Sequence, residues 1–277
     1  MNVVAFFWGN PKLIDSCVKF VKGVSAAEAS LRFIVITHTT FAQLCFLSRG
    51  IISHCLPDKN NKFTNFDKKL SPEAKDVISR HKERVRVSGG KVEEIEGLYI
   101  SLKNYYNLLF DYYDPSLVIT WNGTMLQTSI PALMAKKRNI PHYFMERGLL
   151  PNTLSIDPLG VNYGSHISGS RWNSEEINYP NSENKKKIHE YRCNLLLSEK
   201  TIVKHGEKLS IDKLRNKLGI SKHRKVILLP LQIESDSNIT LYSPFYKSMT
   251  KLVSDVRKVI EAFEDYLLIV KPHPENN

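Results

Sequence analysis

The stretch SLVITWNG at 116–123 is followed by TSIPALMAKKRN at 128–139 and IPHYFME at 140–146. Two apolar runs rich in β-branched and aromatic residues enclose a segment whose apolar residues recur at helical spacing. A strand, a helix and a second strand in that order predict a parallel pair, because the helix carries the chain back to the starting edge. Working outward, the same succession recurs. VVAFFW (3–8) passes through Gly9-Asn10-Pro11 into KLIDSCVKFVKGV, and LRFIVIT (31–37) leads into TFAQLCFLSRG. KVILLPLQI (225–233) is followed by a loop, then YKSMTKLVSDVRKVIEAF, then a last apolar run from Tyr266 to Val270. These runs are apolar throughout rather than alternating, so helices are expected on both sheet faces. The predicted class is α/β with parallel sheets.

Residues 56–115 are more helical and polar, and Ser71-Pro72-Glu73 marks a helix start. The stretch 151–183 is rich in Pro, Gly, Asn and Ser and has little periodicity. It reads as a long loop, of a length that is often functional or interdomain. A chain of 277 residues suits one large domain or two modest ones. The expected division is an N-terminal lobe over 1–180 and a second lobe from 205 to 277, with the boundary near 180–220.

Hydrophobic residues make up 42% of the chain and charged residues 24%, an ordinary globular balance. No apolar run approaches the ~18–20 residues of a membrane helix. The start, MNVVAFFWGNPKLID, lacks a basic segment and a small-residue cleavage site, so it is expected to be a first strand. Cys17, Cys45, Cys55 and Cys193 show no CxxC spacing, which implies neither a zinc site nor a disulfide framework. A reduced, cytoplasmic setting fits. The net charge of +11 would serve nucleic acid, an anionic membrane surface or anionic substrates. The basic residues are scattered apart from NKKKIHEYR at 184–192, and they lack the interleaved aromatics of nucleic-acid modules. No nucleic-acid partner is therefore expected. The 184–192 run reads as a solvated helix face, with peripheral contact to an anionic inner leaflet as the second reading.

Three unusual stretches each follow an expected strand, where open α/β sheets bind ligands. In FMERGLLPNTLSIDPLGVN (144–162), Glu146 ends an apolar strand, a costly place for a carboxylate unless it is paired or poised. An ion pair with Arg147 is the plainer explanation, and Gly148 permits a tight turn or a close ligand approach. In LPLQIESDSNITLYSPF (229–245), an apolar strand breaks into Gln232, Glu234, Asp236, Ser237 and Asn238. Asp236 and Asn238 would equally make an Asx-turn and nothing more. In the final KPHP, Pro272 and Pro274 clamp His273 on both sides. With Lys271 beside it, a phosphate site is favoured over a histidine that merely caps a turn.

In this order and spacing, Trp121-Asn122-Gly123, ERGLLPNTLSIDPLGVN, LPLQIESDSNI…SPF and KPHP resemble the bacterial capsule-polysaccharide Kdo-transferase family. Its members are the KpsC- and KpsS-like proteins and the related β-Kdo transferases of O-antigen assembly. The resemblance spans roughly 115–277; before that only the strand–helix pattern contributes. The HP pair also occurs in bacterial sialyltransferases and, in similar form, in CDP-glycerol glycerophosphotransferases. It therefore points to the nucleotide rather than to the sugar.

The resemblance implies a GT-B architecture of two Rossmann-type lobes with the donor bound between them. It implies a retaining transfer of Kdo from CMP-Kdo to a capsule, O-antigen or glycolipid saccharide. Carried over by position, Asp236 matches the nucleophile, with Glu234 as its competitor, and Glu146 matches the acid/base. His273 and Lys271 match the phosphate site, and Gln232, Ser237, Asn238 and Arg147 are candidate donor-binding residues. Arg147 departs from the small or polar residue expected there; binding the Kdo carboxylate, or merely neutralising Glu146, is its expected role. No metal or other cofactor is expected, since no DxD-like motif is suitably placed. Because the family's second domain continues beyond the HP motif, a longer chain is expected, with Leu267 and Ile269 partly exposed without it. The alternatives are another CMP-sugar transferase, a CDP-glycerol glycerophosphotransferase, and a degenerate polysaccharide-assembly or binding subunit without activity.

Overall fold

The computed structural model describes residues 2–8, 13–56, 70–148, 153–166, 168, 183, 185–190 and 210–274. The expected Gly9-Asn10-Pro11 turn and most of the 169–209 stretch lie outside the described residues. The chain forms two compact units: residues 1–168 with 233–247, and residues 169–232 with 248–277. The segment from Ile233, the last residue of KVILLPLQI, to Lys247 thus groups with the first unit.

The first unit is built on a six-stranded sheet. Its strands are β1 (Asn2–Phe7), β2 (Leu31–Thr37), β3 (Ile52–Cys55), β4 (Leu117–Trp121), β5 (His142–Arg147) and β6 (Leu154–Asp157). The order is β3-β2-β1-β4-β5-β6; all neighbours are parallel except β6, which runs antiparallel to β5. The chain winds one way from β1 to β3 and then restarts at β4 on the other side of β1. The switch point between β1 and β4 is where such sheets open a crevice at the strand ends. Two strands escape the sequence reading. β3 is only four residues long, and β6 lies within the stretch expected to be loop; its LSID alternates too briefly to stand out.

The helices are α1 (Ile14–Ala27), α2 (Thr40–Leu47), α3 (Pro72–Val87), α4 (Ile95–Tyr113) and α5 (Leu126–Lys137). Alternate residues of β1 explain how they are placed. Val4, Phe6 and Trp8 pack with Val18 and Val21 of α1 and Phe46 of α2. Ala5 and Phe7 pack on the opposite face with Val77 of α3, Tyr106 and Phe110 of α4, and Ile130 of α5. Helix α3 starts as its sequence requires, with the Ser71 hydroxyl accepting from the Ala74 N–H and Pro72 in the first turn. Within α5, Pro131 has no N–H to give the Gln127 carbonyl, and the fully buried Tyr106 hydroxyl donates to that carbonyl instead at 2.9 Å.

The second unit contains α6 (Ile211–Lys217), β7 (Lys225–Pro230), α7 (Met249–Ile260) and β8 (Tyr266–Lys271). β7 and β8 pair in parallel, with Pro230 opposite Lys271. Most of their side chains are partly or fully exposed, Leu267 and Ile269 among the partly exposed.

Candidate active site

The first-unit site begins at the end of β4. After Trp121 the chain turns through Asn122 (φ 61°) and Gly123 (φ 73°). A Cβ on Gly123 would lie 2.3 Å from the Phe144 ring, so only glycine fits this close approach to β5. The turn aims the Asn122 amide at the neighbouring strand, where its Nδ2 donates to Glu146 Oε2 at 2.5 Å. The other carboxylate oxygen, Oε1, accepts the Arg147 backbone N–H at 2.9 Å. Glu146 is thus half-buried with each oxygen held once. The ion pair expected with Arg147 is not formed: the contact is through Arg147's backbone, and the residue is exposed. Gly148 closes the turn by donating its N–H to the Thr153 carbonyl, and a Cβ there would meet Thr153 Oγ1 at 2.2 Å.

The Asn122 amide is oriented in turn. The Thr124 hydroxyl donates to Asn122 Oδ1, and Arg84 Nη1 donates to the Thr124 carbonyl at 3.0 Å. Arg84 comes from α3, some forty residues earlier in the chain. Burial pulls its guanidinium below the usual value, while Asp236 and Tyr242 favour the charged form. Its Nε is buried and has no hydrogen-bond partner among the described residues.

Asp236 lies in the segment 233–247. Its side chain makes the Asx-turn anticipated for it: the Asn238 N–H donates to Oδ1 at 2.7 Å, while Oδ2 accepts no hydrogen bond among the described residues. Ser237 is buried, and a single π-helical turn follows over Asn238–Tyr242. The 157–166 loop seats this turn. The buried Asp157 accepts from the N–H groups of Leu159, Gly160 and His166 and from the His166 ring. Burial pushes the Asp157 carboxyl up, but those donors outweigh it and hold it below the usual range. The loop they fix brings Gly164 so near Tyr242 that a Cβ would sit 2.9 Å from the phenol oxygen. Much of the D…GVN string therefore works as a scaffold.

Glu234 falls in the same 233–247 segment as Asp236, and Gln232, Lys271 and His273 lie in the second unit. Gln232 follows β7, and Lys271 and His273 end and follow β8, so all three stand at the same end of one parallel pair. The Leu231 N–H donates to the Lys271 carbonyl at 2.9 Å, tying the two strand exits together. Lys271 is exposed and His273 half-buried. Among the described residues no cluster of three or more His, Cys, Asp or Glu side chains is placed to hold a metal ion. No helix among them is long and apolar enough to cross a membrane.

Sequence reasoning missed Arg84 and Tyr242 and noted Asn122 only as part of a motif. An arginine on a polar helix carries no local signal. A hint was available for Asn122, since Asn-Gly after a strand favours positive φ.

Comparison with known proteins adds three findings. Residues 170–277 match the family described as "Capsule polysaccharide biosynthesis protein". Protein FixF of Sinorhizobium fredii is 24% identical over 203 residues, covering 68% of this chain and 44% of that protein. The chain thus spans less than half the length of that relative. Among solved structures, the UDP-GlcNAc 2-epimerase of Neisseria meningitidis bound to UDP-GlcNAc aligns at 13% identity, over 99% of this chain and 67% of that one, with a TM-score of 0.33. The spinosyn rhamnosyltransferase SpnG aligns at 11% identity, over 98% and 65%, with a TM-score of 0.35. Residues 170–277, which hold the QIESDSN and KPHP motifs, are thus the part of the chain that is similar to the capsule polysaccharide biosynthesis proteins.

Proposed function

We propose that the protein is a glycosyltransferase that moves Kdo from CMP-Kdo to a saccharide or glycolipid acceptor with retention of configuration. The observation that carries this reading is the contrast between its two carboxylates. Asp236 has one oxygen fixed by the Asn238 N–H and the other open, as a nucleophile requires. Glu146 has both oxygens oriented by donors at a strand end, as suits a group that handles a proton at a fixed place. The similarity of residues 170–277 to capsule polysaccharide biosynthesis proteins supports a role in saccharide assembly.

In the first step the open Asp236 oxygen bonds to the anomeric carbon while the bond from that carbon to the CMP phosphate oxygen breaks. The electron pair leaves with the phosphate; offsetting its charge is the role assigned to Lys271 and His273, and Gln232, Ser237 and Asn238 are assigned to binding the donor. In the second step Glu146 takes the proton of an acceptor hydroxyl, whose oxygen displaces Asp236 and regenerates its carboxylate. Two displacements at one carbon retain the configuration. Arg147, exposed beside Glu146, is available to the Kdo carboxylate. In this reading both saccharide chemistry and nucleotide capture are the protein's own, with no metal or cofactor assigned a step.

The test is release of CMP from a panel of CMP-sugars, with CDP-glycerol alongside. CMP release confined to CMP-Kdo is the expected result. Turnover of CMP-sialic acid or CDP-glycerol instead would replace the donor assignment, and turnover of none would favour a binding or assembly role.

A further inference from the structure

We infer that Arg84 is a positioning residue that couples the two carboxylates, an inference that rests on the reading of Asp236 and Glu146 given above. A hydrogen-bonded path runs from Arg84 to Glu146, and the charge of Asp236 acts on Arg84 across a gap. Arg84 Nη1 donates to the Thr124 carbonyl at 3.0 Å and reaches the Thr124 hydroxyl at 3.4 Å. That hydroxyl donates to Asn122 Oδ1, and Asn122 Nδ2 donates to Glu146 Oε2. The order of donors leaves no freedom: Asn122 can give its N–H to Glu146 only if its oxygen faces Thr124. Arg84 thereby fixes which face of the amide Glu146 meets.

At the other end, Asp236 and Tyr242 both favour the Arg84 charge, yet neither makes an ion pair or hydrogen bond with it. That separation is what a nucleophile needs. A bidentate arginine would cap both carboxylate oxygens, whereas a guanidinium held back by Thr124 attracts Asp236 and leaves Oδ2 open. The guanidinium is partly buried in a setting where an unpaired charge is costly. Its Nε, buried without a hydrogen-bond partner, adds to that cost. A purely structural arginine would be expected to use its full fork; this one is held short of it, between two groups assigned to one reaction. Helix α3, through Arg84, thus joins the β4–β5 strand ends to the 233–247 segment. The helix and the π-helical turn are in contact.

Two measurements test this, and one needs no turnover. In protein labelled with ¹⁵N at arginine, the Arg84 Nε–H resonance is assigned by its loss in Arg84→Lys. It should shift in both Glu146→Gln and Asp236→Asn, although neither residue touches Arg84. A resonance that ignores either substitution overturns the coupling. With CMP-Kdo and acceptor, Arg84→Gln should lower kcat by about 100-fold, the scale of a small misplacement of reacting groups, with the donor KM within about threefold. Arg84→Lys should recover part of kcat, and added guanidine should recover part in Arg84→Gln. If Arg84→Gln fails to fold, Arg84→Lys carries the kinetic test by the same kcat-against-KM split. An unchanged kcat, or a loss confined to KM, overturns the positioning role. Should no donor be turned over by the unaltered protein, the proposed function fails while the resonance shifts still decide whether Arg84 couples the two sites.

Discussion

The six-stranded sheet and the β7–β8 pair look alike as sequence and differ as structures. Val4, Phe6 and Val35 in the first are inaccessible, and their neighbours pack on both faces. In the second, Leu228 is 57% exposed and none of the β7 or β8 side chains is buried. An apolar run therefore reports the tendency to form a strand, while burial depends on which helices reach it. The division matters for function. The unit with the buried core carries Glu146 and Asp236, and the unit with the exposed strand pair carries Lys271 and His273, the residues proposed for the phosphate.

The comparison should show first in core truncation. Phe6→Ala is expected to cost about 3–5 kcal/mol of stability, and Leu228→Ala less than about 1 kcal/mol, measured by denaturant unfolding. Equal costs would erase the distinction between the two sheets.

A smaller effect is expected from acid. His38 follows β2, and burial pushes its imidazole down to about 4. A histidine whose folded value is depressed resists protonation that the unfolded chain accepts. Stability should thus be complete above about 6.5, fall as pH drops towards about 4, and level off below. The total loss should be about 3 kcal/mol. His38→Gln should remove that slope from melts taken between pH 7 and 4; an unchanged slope would place the acid sensitivity elsewhere.

The smallest effect concerns the proline in α5. Tyr106→Phe leaves the Gln127 carbonyl without its donor, and a cost of about 1–2 kcal/mol is expected. Pairing it with Pro131→Ala, which restores an N–H near that carbonyl, should reduce the cost. Additive losses in the double variant would refute the link.

Much of the fold was legible from residue pattern. β2 spans the run LRFIVIT without adjustment, and β1, β4, β5, β7 and β8 fall within a residue or a few of their apolar runs. The Ser71-Pro72 start of α3 was legible because capping is local chemistry. β3 and β6 were not, since four-residue edge strands are defined by their partners. The site was legible in part. Glu146 and Asp236 stand out as acids where apolar strands end. Asp157 looked like one motif residue among many, and its role as anchor of the 157–166 loop comes from donors that only the folded loop gathers. Arg84 was illegible because its partners, Thr124 and the 233–247 segment, are remote in sequence.

The central claim is that chemistry resides in the first unit and nucleotide capture in the second. Intact-mass spectrometry with CMP-Kdo alone, alongside calorimetry of CMP binding, tests both halves on Asp236→Asn and His273→Ala. The account predicts that the unaltered protein accumulates a glycosyl adduct mapping to Asp236. It further predicts that Asp236→Asn loses the adduct while binding CMP within about twofold of normal, and that His273→Ala weakens CMP binding by about tenfold or more, the loss of one charge-assisted phosphate contact. An adduct that persists in Asp236→Asn, or CMP affinity indifferent to His273, would contradict it.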